Sequence, residues 1–374
     1  MKQLLSFAAV LLLVFAIQAP GSAKAPVPRD TAAPPLTGKV HLVWQHADEP
    51  AVDLSRHDKV PGVNVVSPVW YTIDNDYGHV TDRSVPQYVE RAHARGYQVW
   101  PLLTNGFDPD RTRALLNEEQ AQRYVIDQLL EQAKKHRFDG INLDFEHIYE
   151  ADRDKLTAFV ARIRHKTKEA GLTLSMDVTV PDGSPDWSLC YDRKGLARHV
   201  DYLMLMAYDQ YTRGSRVPGP TASYNWDADR VAATLQEVPA RKLVLGLPLY
   251  MRLWRYDAAQ DRWHASTLTM RRAEQLRAEK GILPSWQSEW LPNLQMFRCA
   301  YEEDGVRYQF WLENTASLYL KTRLVEQHGL AGTAAWRYGF ETPEVWPMLQ
   351  ERLASAGQTG QPRPGAGLTA CTVS

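Results

Sequence analysis

Apolar residues, many of them β-branched, recur along the chain in short runs, separated by segments in which they return every third or fourth position. The short runs suit strands covered on both faces, and the second pattern suits amphipathic helices laid against them. The runs are VHLVWQ, VNVVSPVWY, YQVWPLL, DGINLDFE, LTLSMDVTV, VDYLMLMAYD, KLVLGLPLY and GTAAWRYG. Around them lie VPQYVERAHARG, EEQAQRYVIDQLLEQAKKHR, RDKLTAFVARIRHKTKEAG, DADRVAATLQEV, TASLYLKTRLVEQHG and TPEVWPMLQERLA, several closed by Gly, a common helix stop. Eight strands alternating with helices predict an α/β fold, a (β/α)8 TIM barrel, over residues 39–355. An open doubly wound sheet is the alternative, but no GxGxxG turn follows the first strand. An insertion, about residues 255–314, delays the helix before the eighth strand and reads as a small α+β lobe. Residues 24–38 read as a linker and 356–374 as a disordered tail, both from their Pro and small-residue content.

The fourth run carries a sharper pattern. Ile141, Leu143 and Phe145 alternate with Asn142, Asp144 and Glu146. Side chains alternate across a strand, so one face is apolar and the other holds an amide and two carboxylates. In a barrel the outward face meets helices, which places the polar face in the lumen and Glu146 at the C-terminal rim. Active sites of this fold lie at that rim. Uncompensated burial of carboxylates costs several kcal/mol, so the pattern points to chemistry more than to packing.

Composition narrows the picture a little. A net charge of −1 offers no electrostatic basis for binding nucleic acid. The start, MKQLLSFAAVLLLVFAIQAPGSAKA, joins a positive residue, an apolar run and a small-residue site, and residues 1–23 read as a secretory signal peptide. The expectation is an exported protein (extracellular, periplasmic or cell-wall associated) with no membrane insertion once the signal is removed, and a monomer. Cys190, Cys299 and Cys371 form no disulfide framework; a Cys190–Cys299 bridge is open to an exported chain but is not favoured. The histidines form no HxxxH or HxxE cluster, so neither a metal nor another cofactor is expected.

Three motifs together are more specific. DGINLDFE resembles the DxxDxDxE signature of family 18 glycoside hydrolases, the chitinase-type enzymes, with Asp139, Asn142, Asp144 and Glu146 at its four positions. MAYD, residues Met206 to Asp209, is similar to the family's MxYD motif, and Trp336 in GTAAWRYG stands where the family keeps a strand-eight Trp under the sugar. The wording GINLDFE, MAYDQ, LGLPLYMRLW and GTAAWR is most like the branch of bacterial cell-wall and spore-cortex N-acetylglucosaminidases. The resemblance implies hydrolysis of β-1,4 bonds in N-acetylglucosamine-containing polymers, peptidoglycan or chitin, by substrate-assisted, retaining catalysis. By that resemblance Glu146 is the acid and then the base, and Asp144 orients the 2-acetamido group. Tyr208 donates to the acetamido carbonyl, and Asp139 backs up Asp144. Asn142 departs from the signature's Asp, removing one charge while keeping a hydrogen-bonding group.

Further sugar contacts are expected from Trp70 and Tyr71 after the second strand, Asn105 after the third, and Tyr250, Arg252 and Trp254 after the seventh, together with Asn142, Met206, Asp209 and Trp336. Trp263, Trp286, Trp290 and Trp311 of the insertion either wall the groove or form that lobe's core. Plainer readings stay open: Asp139 as a turn residue, Asn142 as a satisfied core amide, Tyr208 with Asp209 as a buried pair, Trp336 as core. A non-hydrolytic chitinase-like binding protein is the rival function, set against by the retained Glu146.

Overall fold

The structure, a computed structural model, describes residues 36, 38–46, 50–282 and 288–355. The expected signal peptide, most of the linker, the C-terminal tail, Trp286 and Cys371 lie outside the described residues. Eight parallel strands close into a barrel: Val40–Gln45, Val65–Ile73, Leu102–Thr104, Gly140–Asp144, Thr173–Thr179, Tyr202–Met206, Leu243–Pro248 and Gly332–Trp336. Each pairs with its neighbour in the chain, the eighth pairs with both the seventh and the first, and the first pairs with the second, which completes the ring. These are the eight predicted runs. The third is broken, with Gln98–Val99 paired separately, because Pro101 has no N–H to donate to a ladder.

Helices cover the outside. Tyr88–Ala94, Glu119–His136, Arg153–Glu169, Tyr224–Thr234, Thr315–Gln327 and Val345–Ser355 fall within the six predicted segments or start close to them. Pro109–Asn117 and Arg193–His199 were not anticipated, being short and poor in apolar positions. The first begins as its chemistry dictates, with Asp108 accepting from the N–H groups of Asp110 and Arg111 and a Pro at the first helical position.

Two apolar cores follow from the closed sheet. Ile141, Leu143 and Phe145 belong to the large core between strands and helices, with Leu156, Phe159 and Val160 of the following helix. Val40, Leu42, Trp44, Val65, Trp100 and Val244 fill the lumen. Gly140 opens the fourth strand because a Cβ there would lie 2.7 Å from the Trp100 ring. No residue of that strand is wet, so its alternation divides helix-facing from lumen-facing positions as expected.

The insertion is an antiparallel five-stranded sheet with the helix Met270–Glu279. It begins at Tyr250 rather than near 255: the seventh barrel strand ends at Pro248 and Tyr250–Asp257 already pairs antiparallel with Arg262–Thr269. Cys190 and Cys299 are buried free thiols, so the unfavoured bridge is absent between them. Among the described residues no helix is long and apolar enough to cross a membrane.

Candidate active site

The C-terminal ends of the strands surround a pocket of about 320 Å³, lined among others by Trp44, Asp144, Glu146, Asp177, Met206, Tyr208, Asp209, Tyr250 and Trp336. Glu146 lies two residues past the end of the fourth strand, so the sheet no longer holds its backbone. Asn105 does so instead. Its Nδ2 donates to the Glu146 carbonyl at 2.8 Å, and its Oδ1 accepts from the Glu146 N–H at 3.1 Å. Thr112 accepts a further Asn105 bond at 2.8 Å, and the Tyr191 hydroxyl donates to the Phe145 carbonyl at 2.6 Å. The chain then turns sharply at His147, which has φ +52°.

Beneath the carboxyls runs a buried polar chain. The Trp44 indole, which can only donate, donates to Asn142 Oδ1 at 2.8 Å. That fixes the amide orientation, so Asn142 Nδ2 faces Asp177 Oδ1 at 2.8 Å and Ser175 Oγ at 3.1 Å. On the far side Asp209, at φ +59°, accepts from the Tyr250 hydroxyl at 2.8 Å and from Arg252 at 2.6 Å. The Tyr208 and Tyr250 rings meet edge to face, with centroids 6.2 Å apart. Gly246 makes room there: a Cβ would sit 2.4 Å from the Leu205 carbonyl and 3.2 Å from the Tyr208 ring.

Burial dominates the electrostatics. It pushes Asp144 up to about 7, against a hydrogen bond with Glu146 that pulls the other way. Glu146 is raised well above the usual carboxylate range by burial, then by the charge and hydrogen bond of Asp144, with Asp177 and Asp209 adding. Asp177 is raised by burial and by Asp144, opposed by the hydrogen bond from Asn142. The Tyr208 hydroxyl is likewise pushed up by burial and stays a donor. Buried and close together, the three carboxyls titrate as a set. Asp144 Oδ1 is buried without a protein partner among the described residues, an acceptor open to a ligand N–H. The pocket thus offers a protonated acid, an unpaired acceptor, a hydroxyl donor and aromatic faces.

The structure brings together Glu146, Asp144, Tyr208, Met206, Asp209, Tyr250 and Trp336, and removes other expected residues from the pocket. Asp139 does not support Asp144: it lies at the opposite end of the strand, accepting from His93 Nε2 and the Val99 N–H, both at 2.8 Å. Trp70 and Tyr71 are buried toward the helices, Trp70 edge to face with Tyr88 at 5.0 Å; a register shift between Val69 and Tyr71 leaves Val69 on the pocket side. Asn105 binds the Glu146 backbone, Arg252 binds Asp209, and Asn142 is sealed below the pocket, so none of the three lines it. Trp254 is buried with its indole on the Gly219 carbonyl, Trp311 shares that core, Trp263 packs against it, and Trp290 is exposed.

Sequence reasoning missed Asp177, Trp44, Phe107 and Trp187 as pocket residues. For Asp177 the signal was present, since Ser175, Asp177 and Thr179 alternate with Leu174, Met176 and Val178 as the fourth strand's residues do. Phe107 sits on a loop and Trp187 in the single-turn π-helix Pro185–Leu189, where no period marks direction. Among the described residues no group of His, Cys, Asp or Glu is arranged to hold a metal ion.

Comparison with known proteins agrees with this geometry. The model of the family described as "Glycosyl hydrolases family 18" matches residues 91–341. The chain is 23% identical over 286 residues to the uncharacterized glycosylase YvbX of Bacillus subtilis (strain 168), covering 73% of this chain and 80% of that protein. It is 24% identical over 255 residues to the cortical fragment-lytic enzyme of the same organism, covering 67% of this chain but only 58% of that one. The crystal structure of a chitinase from Chromobacterium violaceum ATCC 12472 superposes with a TM-score of 0.74 at 25% identity, over 85% of this chain and 99% of the other.

Proposed function

The chain belongs to family 18 of the glycosyl hydrolases and is a glycosidase, and on that premise we propose that it is an exported, monomeric hydrolase of β-1,4-linked N-acetylglucosamine polymers, peptidoglycan or chitin. The observation that carries the reading is the raised, pocket-facing Glu146 beside Asp144 with its unpaired oxygen. Export rests on the signal-like residues 1–23. The similarity to a protein named as a cortical fragment-lytic enzyme and to one described as a chitinase supports this substrate class.

In this reading the sugar ring lies over Trp336, and its acetamido N–H fills the open acceptor of Asp144. Glu146 gives its proton to the glycosidic oxygen as the acetamido carbonyl oxygen bonds to C1 and the C1–O bond breaks. The leaving chain departs as an alcohol. Tyr208 donates to the acetamido carbonyl and holds it in line, and the Asp144 carboxylate stabilises the positive oxazolinium. Water then gives a proton to Glu146 as its oxygen bonds to C1, which opens the ring with net retention. Asp139, Asn142, Asn105, Arg252, Trp70 and Tyr71 touch no sugar in this arrangement.

Incubating the purified protein with chitin oligosaccharides and, separately, with peptidoglycan tests the proposal, with products read by mass spectrometry and early anomers by NMR. Fragments from at least one polymer, ending in a β-anomer of N-acetylglucosamine, are expected, and the productive polymer identifies the substrate. An α-anomer, or no product from either, overturns the reading.

A further inference from the structure

Asp177 is the carboxyl that the mechanism above leaves unused. It stands on the fifth barrel strand, is 2% exposed, and lines the same pocket as Asp144 and Glu146. The register of the fourth and fifth strands pairs Leu143 with Met176, so Asp144 and Asp177 follow side by side in one layer of the lumen. Neighbouring strands are about 4.8 Å apart, which brings the two carboxyls into direct electrostatic contact.

The groups facing Asp177 are few. From the fourth strand and its extension come Asp144 and Glu146, and from across the pocket Asp209, Tyr208, Tyr250 and His46. From below come Asn142 Nδ2 at 2.8 Å and, through it, the Trp44 indole. Arg252, a nearby cation, is bound to Asp209. A charge at Asp177 is therefore steadied by amide and indole donors and repels a charge on either neighbouring carboxyl.

Building on the hydrolytic reading, we propose that Asp177 is a positioning residue of the reaction: its carboxyl, beside Asp144 and held by Asn142, keeps the acid proton on Glu146 and so sets the alkaline limit of activity. The neutral Asn142 and the ionisable Asp177 form one unit. The second carboxyl beside Asp144 is supplied from the fifth strand, and the fourth-strand amide one layer below orients it. The same hydrogen bond would survive with the two groups exchanged, since an amide at 177 can donate to a carboxylate at 142 while Trp44 still donates to position 142.

The exchange is the test. Asp177→Asn keeps shape and hydrogen bonding but removes the charge. The alkaline limb of its kcat profile on a chitin oligosaccharide is expected to move about one pH unit toward acid. The double variant Asn142→Asp/Asp177→Asn returns one carboxyl to the cluster beneath Glu146, and its limb is expected back at the wild-type position. A kcat lowered by the same factor at every pH, or a double variant that fails to restore the limb, overturns the proposal. Thermal melts of both variants confirm that they fold, and the double variant alone decides should Asp177→Asn not fold. Failure of the hydrolytic reading itself shows elsewhere, as full activity in Glu146→Gln.

Discussion

Asn105 separates two accounts of the loop after the third strand. Its position suggests a sugar contact; its hydrogen bonds make it the clamp on the Glu146 backbone. Asn105→Ala removes the acceptor for the Glu146 N–H and the donor to its C=O. An unpaired buried backbone group costs about 1–3 kcal/mol. Glu146 is only partly buried, so water takes up part of that, leaving about 2 kcal/mol for the pair. In a domain of this size that corresponds to a fall in Tm of roughly 3 °C. The larger effect is on rate: releasing the clamp lets the acid drift, and misplacement of about 1 Å costs on the order of 10²-fold. Steady-state kinetics on a chitin oligosaccharide should show kcat reduced about 10²-fold with KM within about threefold of wild type. A raised KM with kcat unchanged would refute the clamp and restore Asn105 as a sugar contact.

Two further predictions concern buried charge. Asp144, raised from 3.8 to about 7, is protonated in both states below pH 4; between pH 4 and 7 the unfolded chain ionises while the fold keeps its proton, so stability is lost as pH rises, by up to roughly 4 kcal/mol. Asp144→Asn should therefore match wild type in urea melts at pH 4 and exceed it at pH 8, and equal curves at both pH values would contradict the burial argument. Lys321, fully buried between Glu313 at 2.5 Å and Asp227 at 3.6 Å, is the single cation facing two buried carboxyls where the insertion rejoins the barrel. Lys321→Met should cost about 3–5 kcal/mol at pH 8 and less at pH 5, where the stranded acids protonate; a small loss independent of pH would show that no buried ion pair is broken.

Period and motif made the barrel legible. Strict alternation from Ile141 to Glu146 identifies a strand with a helix-facing and a lumen-facing side, and the structure has both. Direction past the strand ends was not legible. Trp70 and Tyr71 turn outward through a local register shift that no alternation records. Arg252 and Asn105 stand at the expected places in the chain but spend their donors on Asp209 and on the Glu146 backbone. The strand KLVLGLPLY runs into MRLWRYD without a turn residue, which hid the start of the insertion. Asp139 fits the signature yet lies at the far end of its strand, because residues five and seven places apart on a strand are about 17 and 24 Å apart along the chain.

The central claim is that Glu146 supplies the proton that breaks the glycosidic bond. Product release from the cleaved polymer, measured by mass spectrometry for wild type and Glu146→Gln at matched concentration, tests it directly. The variant is expected to bind the sugar with near wild-type affinity by calorimetry and to release no fragments above background. Undiminished release by a folded Glu146→Gln would contradict the account.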